Sequence, residues 1–141
     1  MLNEKSCGAV VFRKDADAKF LLLRYEAGHW DFVKGNVEPN ETEMNTVVRE
    51  LREETGITEA NFIDGFRETI TYFYKRQGSF VKKEVVFFIM QTFTANVTLS
   101  FEHVGYEWLS YEAALDRLTF RNAKDILRKA NQYLETKGQI Q

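Results

Sequence analysis

The sequence of 141 residues predicts an α+β fold with a mixed sheet, and three observations predict it. β-type runs come in two groups, before and after one strongly periodic helical segment, and further helical pattern follows near the end of the chain. One β-type segment carries six consecutive apolar residues, Val85 to Met90, the mark of a strand buried on both faces. The only proline, Pro39, stands where the apolar period changes from strand-like to helix-like.

Taken in order, Cys7–Phe12 and Phe20–Tyr25 read as strands, with a turn over Lys14–Asp17 between them. Ala27-Gly28-His29 is a loop, and a short extended run follows through Trp30 and Phe32. Met44, Val47, Val48 and Leu51 fall at i, i+3, i+4 and i+7, which predicts a helix from about 41 to 55 with that stripe toward the core. Asn40 is placed as its N-cap, with Glu43 three residues on as in a capping box, and Gly56 as its stop. Alternation from Glu68 to Tyr74, a hairpin loop over Lys75–Ser79 and a long strand over Lys83–Phe93 form the second β region. Tyr106–Leu109 is a shorter strand, and Tyr111–Leu118 and Ala123–Leu134 are helical in pattern, with Ser110 capping the first.

Composition excludes some classes of function. With 19 basic against 21 acidic residues and a net charge of -2, the chain lacks the basic surplus that broad, charge-driven nucleic-acid binding requires. Cys7, the single cysteine, cannot form an intrachain disulfide, so a reducing compartment, the cytoplasm, is expected, with Cys7 buried in its strand rather than reactive. The longest apolar run is too short to cross a bilayer as a helix, which takes about 20 residues. Met1 to Ser6 shows no apolar core of a secretory signal. No linker or repeat divides residues 1–141, which read as one domain, and no obligate protein partner is implied.

Chemistry concentrates between Gly35 and Ile57, GNVEPNETEMNTVVRELREETGI. The frame is Gly35, five residues, Glu41, seven residues, Arg49-Glu50-Leu51, one residue, Glu53-Glu54, one residue, Gly56-Ile57. At about 100° per residue, Glu50, Glu53 and Glu54 share one helix face. Like charges so spaced destabilise a helix, by a few tenths of a kcal/mol per pair, and a hard divalent cation removes that penalty. Arg49, four residues before Glu53, is placed to hold a carboxylate by a charge-assisted hydrogen bond. Gly35 leaves the backbone free for close approach, and Pro39 fixes the loop before the helix.

This frame resembles the Nudix box, and the order of strands and helices around it is similar to the α/β/α sandwich of the Nudix hydrolase superfamily. The resemblance implies hydrolysis of a nucleoside diphosphate linked to another group, by water attack on a phosphorus, with Mg²⁺ or Mn²⁺ ions on the phosphates. It implies Glu50, Glu53 and Glu54 as metal ligands or base, the Lys34 backbone carbonyl as a further ligand, Arg49 as the orienting residue and Glu41 as a supporting carboxylate. Outside the box, His29-Trp30 and Lys34-Gly35-Asn36-Val37-Glu38-Pro39 resemble the group that cuts diadenosine tetraphosphate into ATP and AMP. In that group the Glu68–Tyr72 run implies Tyr72 as a base-stacking residue, and Lys83 before an apolar strand implies a phosphate contact. Ser100-Phe101-Glu102-His103 with Tyr106 and Trp108-Leu109 implies Glu102 as metal ligand or base. Phe120 stands where a second stacking aromatic is expected, and Lys34 with Lys83 would complement the substrate's charge. The departures are Phe32-Val33 in place of two prolines, Asn36 in place of histidine, and Val47 where the helix is usually small. The alternatives left open are another Nudix pyrophosphohydrolase, acting on 5′-triphosphate RNA or nucleoside triphosphates, and a non-catalytic nucleotide sensor.

Overall fold

The computed structural model describes all 141 residues, Met1–Gln141. Four strands come first: β1 (Leu2–Lys14), β2 (Ala18–Tyr25), β3 (Trp30–Asp31) and β4 (Val33–Asn36). Helix α1 (Glu43–Thr55) is followed by β5 (Ala60–Phe62), β6 (Glu68–Arg76), β7 (Ser79–Thr92) and β8 (His103–Leu109). Helices α2 (Tyr111–Arg117) and α3 (Arg121–Thr136) complete the order. The sheet runs β3-β2-β1-β7-β5, with β4 also on β1, β6 on β7 and β8 on β2. β1 and β7 pair in parallel from Leu2↔Val81 to Phe12↔Gln91, whereas the flanking pairs, such as β1–β2 and β6–β7, are antiparallel. The sheet is therefore mixed, and the chain linking its parallel pair carries α1, as a crossover connection must.

Strand alternation sends side chains to two cores. Cys7, Ala9, Val11, Leu21, Leu23, Val86, Phe88 and Met90 face α1, where Val47, Leu51 and Ile57 meet them. Val10, Phe12, Phe20, Leu22, Val85, Phe87 and Ile89 face the other way, onto Leu118 and the α3 residues Ile126, Leu127, Ala130 and Leu134. Residues 85–90 alternate between the two cores, which explains the unbroken apolar run. Cys7 is buried, and burial pushes its thiol up to about 11, so it is a packing residue. Val47 and Leu51 seat α1 on the sheet. Truncating a leucine so placed costs about 2–5 kcal/mol, a large part of a domain's stability. No helix is long and apolar enough to cross a membrane.

Several elements depart from the sequence reading. Helix α1 starts two residues later, at Glu43, and its N-cap is Thr42, whose Oγ1 accepts from the Asn45 N–H at 3.1 Å. Asn40 instead adopts a positive φ of 65°, turning the chain after Pro39. Glu41 follows that turn, and its carboxylate meets Arg49. The stripe also rotates. Val47 and Leu51 are buried, but Met44 and Val48 are 44% and 45% exposed, and the covered face continues through Thr46, Glu54 and Thr55. These threonines tolerate burial because each hydroxyl is bonded locally, Thr46 to Glu41 Oε1 at 2.6 Å and Thr55 to the Leu51 carbonyl at 2.5 Å. The β6–β7 loop shrinks from five residues to Gln77-Gly78, both at positive φ, as a two-residue hairpin turn demands.

Glu43, the first residue of α1, ties three segments together. Its carboxylate accepts two hydrogen bonds from Arg67, at 2.9 and 2.8 Å, and pairs with Lys5 Nζ at 2.6 Å. Arg67, then Lys5, holds its pKa down at about 2 against a usual 4.5. Because the folded-state value is depressed, this stabilisation is present above about pH 4.5 and is lost as pH falls toward 2. Glu43→Gln should therefore lower the melting temperature at neutral pH, with the gap to the parent narrowing between pH 4.5 and 2 in thermal melts. A gap that stays constant across that range would contradict the assignment.

Candidate active site

Arg49 organises the acidic segment. Its guanidinium has five N–H donors, and each finds an oxygen. Nε donates to Glu41 Oε2 at 2.7 Å, and Nη2 to Glu41 Oε1 at 3.1 Å and to the Asn36 carbonyl at 2.9 Å. Nη1 donates to Glu50 Oε1 at 2.7 Å and to Glu53 Oε2 at 3.1 Å. Glu41 returns the favour to the loop by accepting from the Glu38 N–H at 3.0 Å. The fork, and the Thr46 hydroxyl after it, holds the Glu41 carboxyl at about 2, so it stays ionised. The same contacts raise the guanidinium's own pKa. A lysine, with three donors and no plane, could not make this set.

Gly35 belongs to strand β4, opposite Cys7 of β1, and a Cβ there would overlap the Glu50 carboxyl. The sheet edge and the helix therefore close on each other only because residue 35 lacks a side chain. Between them lies a cleft of about 530 Å³, lined by Lys34, Gly35, Asn36, Glu38, Arg49, Glu50, Glu53, Glu54, Ser100, Phe101 and Glu102. A larger cavity of about 920 Å³ opens elsewhere, beside the β1–β2 turn and the end of α3. None of the charged residues lining that cavity is buried, which leaves it without the environment that sets up chemistry.

Glu54 differs from its neighbours in lying outside the Arg49 fork. It is buried at 3% exposure, and no protein group hydrogen-bonds either carboxyl oxygen. Burial first, and then the adjacent Glu50 carboxyl, push its pKa far above the carboxylate range, with Glu102 adding to the rise. His103 Nε2 comes within 3.2 Å of Glu54 Oε1, but burial lowers the imidazole's pKa, so both groups lean to their neutral forms and the contact is not an ion pair. A buried carboxyl without a donor, beside two further carboxylates, is a donor set that suits a hard divalent cation. The carboxylates do not by themselves close around one point, since no three His, Cys, Asp or Glu side chains are so grouped and Glu53 turns toward Arg49.

The remaining expected residues fall into two groups beside the cleft. Lys83 Nζ donates to Asn36 Oδ1 at 2.9 Å, which also accepts from Ser6 Oγ at 3.0 Å, so Lys83 reaches the cleft through Asn36. Tyr72 is the cross-strand partner of Lys83 and stays 36% exposed. On β2, Tyr25 stacks on His29 with centroids 4.6 Å apart at 9°, and His29 in turn lies 5.3 Å from Phe120, which is 49% exposed. Tyr25 also meets His103 edge-on at 4.4 Å, which connects this aromatic row to Glu54. The Lys34 side chain pairs with buried Asp31 at 3.2 Å, so its ammonium is already partnered.

Sequence reasoning passed over Tyr25, Asn36, Ser100, His103 and Phe101 as parts of the site. Phe101 filled a spacer position, yet it is the one apolar residue lining the cleft and is 91% exposed. The Ser100-x-Glu102-His103 spacing held the signal for Ser100 and His103, because a serine three residues before a histidine in a turn brings hydroxyl and ring together. Nothing in the local sequence announces Tyr25, whose role comes from strand pairing.

The NUDIX domain family model matches residues 3–130. The chain is 32% identical to the bis(5′-nucleosyl)-tetraphosphatase [asymmetrical] of Mus musculus, over 92% of this chain and 95% of that protein. It is likewise 32% identical to the protein of that name from Caenorhabditis elegans, over 92% of this chain and 96% of the relative. The crystal structure of a C. elegans Ap4A hydrolase binary complex matches with a TM-score of 0.84 at 31% identity, covering 94% of this chain and 98% of that chain. With the carboxylate helix in its box frame, the two-core sandwich around it and relatives matched nearly end to end, the chain belongs to the Nudix family and is a Nudix hydrolase.

Proposed function

We propose that this Nudix hydrolase cleaves diadenosine tetraphosphate to ATP and AMP, or a close dinucleoside polyphosphate to its two corresponding mononucleotides, by water attack on a phosphorus, with Mg²⁺ or Mn²⁺ as cofactor. The observation that carries the substrate class is the likeness over 92% of the chain to asymmetrical bis(5′-nucleosyl)-tetraphosphatases. The donorless Glu54 carboxyl supports the cation. Glu50, Glu53, Glu54, Glu102 and the Lys34 carbonyl are the groups assigned to hold it. When bound, such an ion neutralises phosphate oxygens and makes an attacking water more acidic.

The chain's own residues supply the rest. Arg49 keeps Glu50 and Glu53 turned to the cleft, and a carboxylate of this cluster takes up the proton that the attacking water releases. Lys83, partly buried and held on Asn36, offers a fixed positive charge to the polyphosphate at the β7 side. Tyr72, next to it across the strands, offers an aromatic face to a base, and base–aromatic stacking is worth roughly 1–3 kcal/mol. His29 and Phe120 form the second aromatic edge, for the other nucleoside. The lone cysteine and the absence of any disulfide support a cytoplasmic setting.

Incubation with Mg²⁺ and a panel of diadenosine polyphosphates, nucleoside triphosphates, ADP-ribose and 5′-triphosphate RNA, with products separated, tests the reading. ATP plus AMP from diadenosine tetraphosphate is the expected result. Two ADP, or turnover of triphosphates or RNA alone, would overturn it. Tyr72→Ala should raise KM by about fivefold or more with a smaller change in kcat, the pattern of lost uniform binding. An unchanged KM would remove Tyr72 from the site.

A further inference from the structure

We infer that Ser100 and His103 are a positioning pair for Glu54, fixing the imidazole so that its Nε2–H faces one carboxyl oxygen and leaves the other to the cation. The inference rests on the cation reading above and concerns only this chain's residues. Two backbone hydrogen bonds fix the turn that carries the ring, and two contacts hold the ring itself. The His103 backbone N–H donates to the Ser100 carbonyl at 3.2 Å, closing a tight turn. The Ser100 N–H donates to the Glu54 carbonyl at 3.3 Å, which hangs that turn on the end of α1. Ser100 Oγ lies 3.0 Å from His103 Nδ1. Tyr25 packs against the ring edge-on at 4.4 Å, with its own hydroxyl donating to the Phe32 carbonyl at 2.8 Å.

The side chain so fixed is 0% exposed, and its Nε2 stands 3.2 Å from Glu54 Oε1. Neither atom has any other polar partner. A ring nitrogen buried without a partner is costly, and a ring held by Ser100 on one side and by Tyr25 edge-on, with its free nitrogen at a carboxyl, is aimed, not merely packed. The Ser100 hydroxyl can donate to Nδ1 or accept from it, so it serves either tautomer, and what faces Nε2 selects between them. When the Ser100 hydroxyl donates to Nδ1, the single proton of a neutral imidazole resides on Nε2, and the ring presents a donor to Glu54. Once a bound cation ionises Glu54, the opposite tautomer would set a lone pair against the carboxylate oxygen and repel it, so the Nε2–H form is the one that fits the loaded site. At 3.2 Å the Nε2–Oε1 pair is close but not aligned as a hydrogen bond, and a small turn of the carboxyl would align it. The arrangement parallels the outer-shell partners that orient metal ligands, whose removal lowers metal affinity by about 10–100-fold.

The test is Mn²⁺ titration of the metal-stripped full chain without substrate, with free Mn²⁺ read by electron paramagnetic resonance and folding checked by thermal melts. Wild type is compared with His103→Leu, His103→Gln and Ser100→Ala. His103→Leu should weaken Mn²⁺ binding by about 10–100-fold, whereas His103→Gln, whose amide nitrogen reaches near the Nε2 position, should stay within about threefold of wild type. Ser100→Ala, which keeps the ring but removes its Nδ1 partner, should weaken binding by about three- to tenfold. Wild-type affinity in folded His103→Leu, or His103→Gln as weak as His103→Leu, overturns the inference. Should His103→Leu not fold, unchanged affinity in Ser100→Ala overturns it. A wild type that binds no Mn²⁺ overturns the cation reading itself, an outcome distinct from a wild type that binds and a His103→Leu that binds equally.

Discussion

A carboxyl buried among carboxylates is the constraint around which this molecule is arranged. Six of the chain's 21 acidic residues lie between Glu38 and Glu54. One guanidinium serves three of them, and it has no donor left over for Glu54. The arrangement is asymmetric by design of the helix: Glu50 and Glu53 flank Arg49 on the open side, while Glu54 turns with Leu51 and Thr55 into the covered face. The folded chain therefore carries an unmet demand for positive charge in one place. A net charge of -2 conceals this completely, since the rest of the chain is nearly balanced.

The fold supplies the walls of that site. Parallel pairing of β1 with β7 puts the crossover helix on one face of the sheet, and β4, hydrogen-bonded to the middle of β1, brings Gly35 against Glu50. The long β7 carries Lys83 to the same edge, and the β6 hairpin lays Tyr72 beside it. From the other direction, the antiparallel pairing of β2 with β8 places Tyr25 opposite His103, so that an aromatic row runs from Phe120 through His29 and Tyr25 to the buried end of α1. The acidic cleft and the inner part of the aromatic row thus rest on strand pairings that each also bury core residues. The loops that carry His29, Ser100–Glu102 and Phe120 are short or tied to those strands.

The sequence made visible what local chemistry dictates. The spacing of Glu50, Glu53 and Glu54, the Arg49–Glu53 contact, the Ser110 cap and the two-faced burial of residues 85–90 all follow from periodicity and are seen in the structure. What it hid depends on competition between partners. Asn40 is a good cap by type, but the turn after Pro39 claims its backbone and Thr42 caps instead. Met44 and Val48 look like core, but buried threonines with satisfied hydroxyls and a buried carboxyl take the covered face. Asn36 and His103 acquire meaning only when strands far apart in sequence bring Lys83 and Glu54 to them.

The central claim is that burial of the Glu54 carboxyl destabilises the metal-free fold and that a divalent cation reverses that penalty. The carboxyl's folded-state pKa is raised, so above about pH 4.5 the ionised unfolded chain is favoured increasingly as pH rises. Thermal unfolding of the wild type and Glu54→Gln, each in EDTA and in Mg²⁺ at about pH 7.5, tests this directly. In EDTA the amide variant should melt at or above the wild type, and Mg²⁺ should raise the melting temperature of the wild type while leaving Glu54→Gln nearly unmoved. A Glu54→Gln that melts well below the wild type in EDTA, or that gains as much from Mg²⁺, would contradict the account.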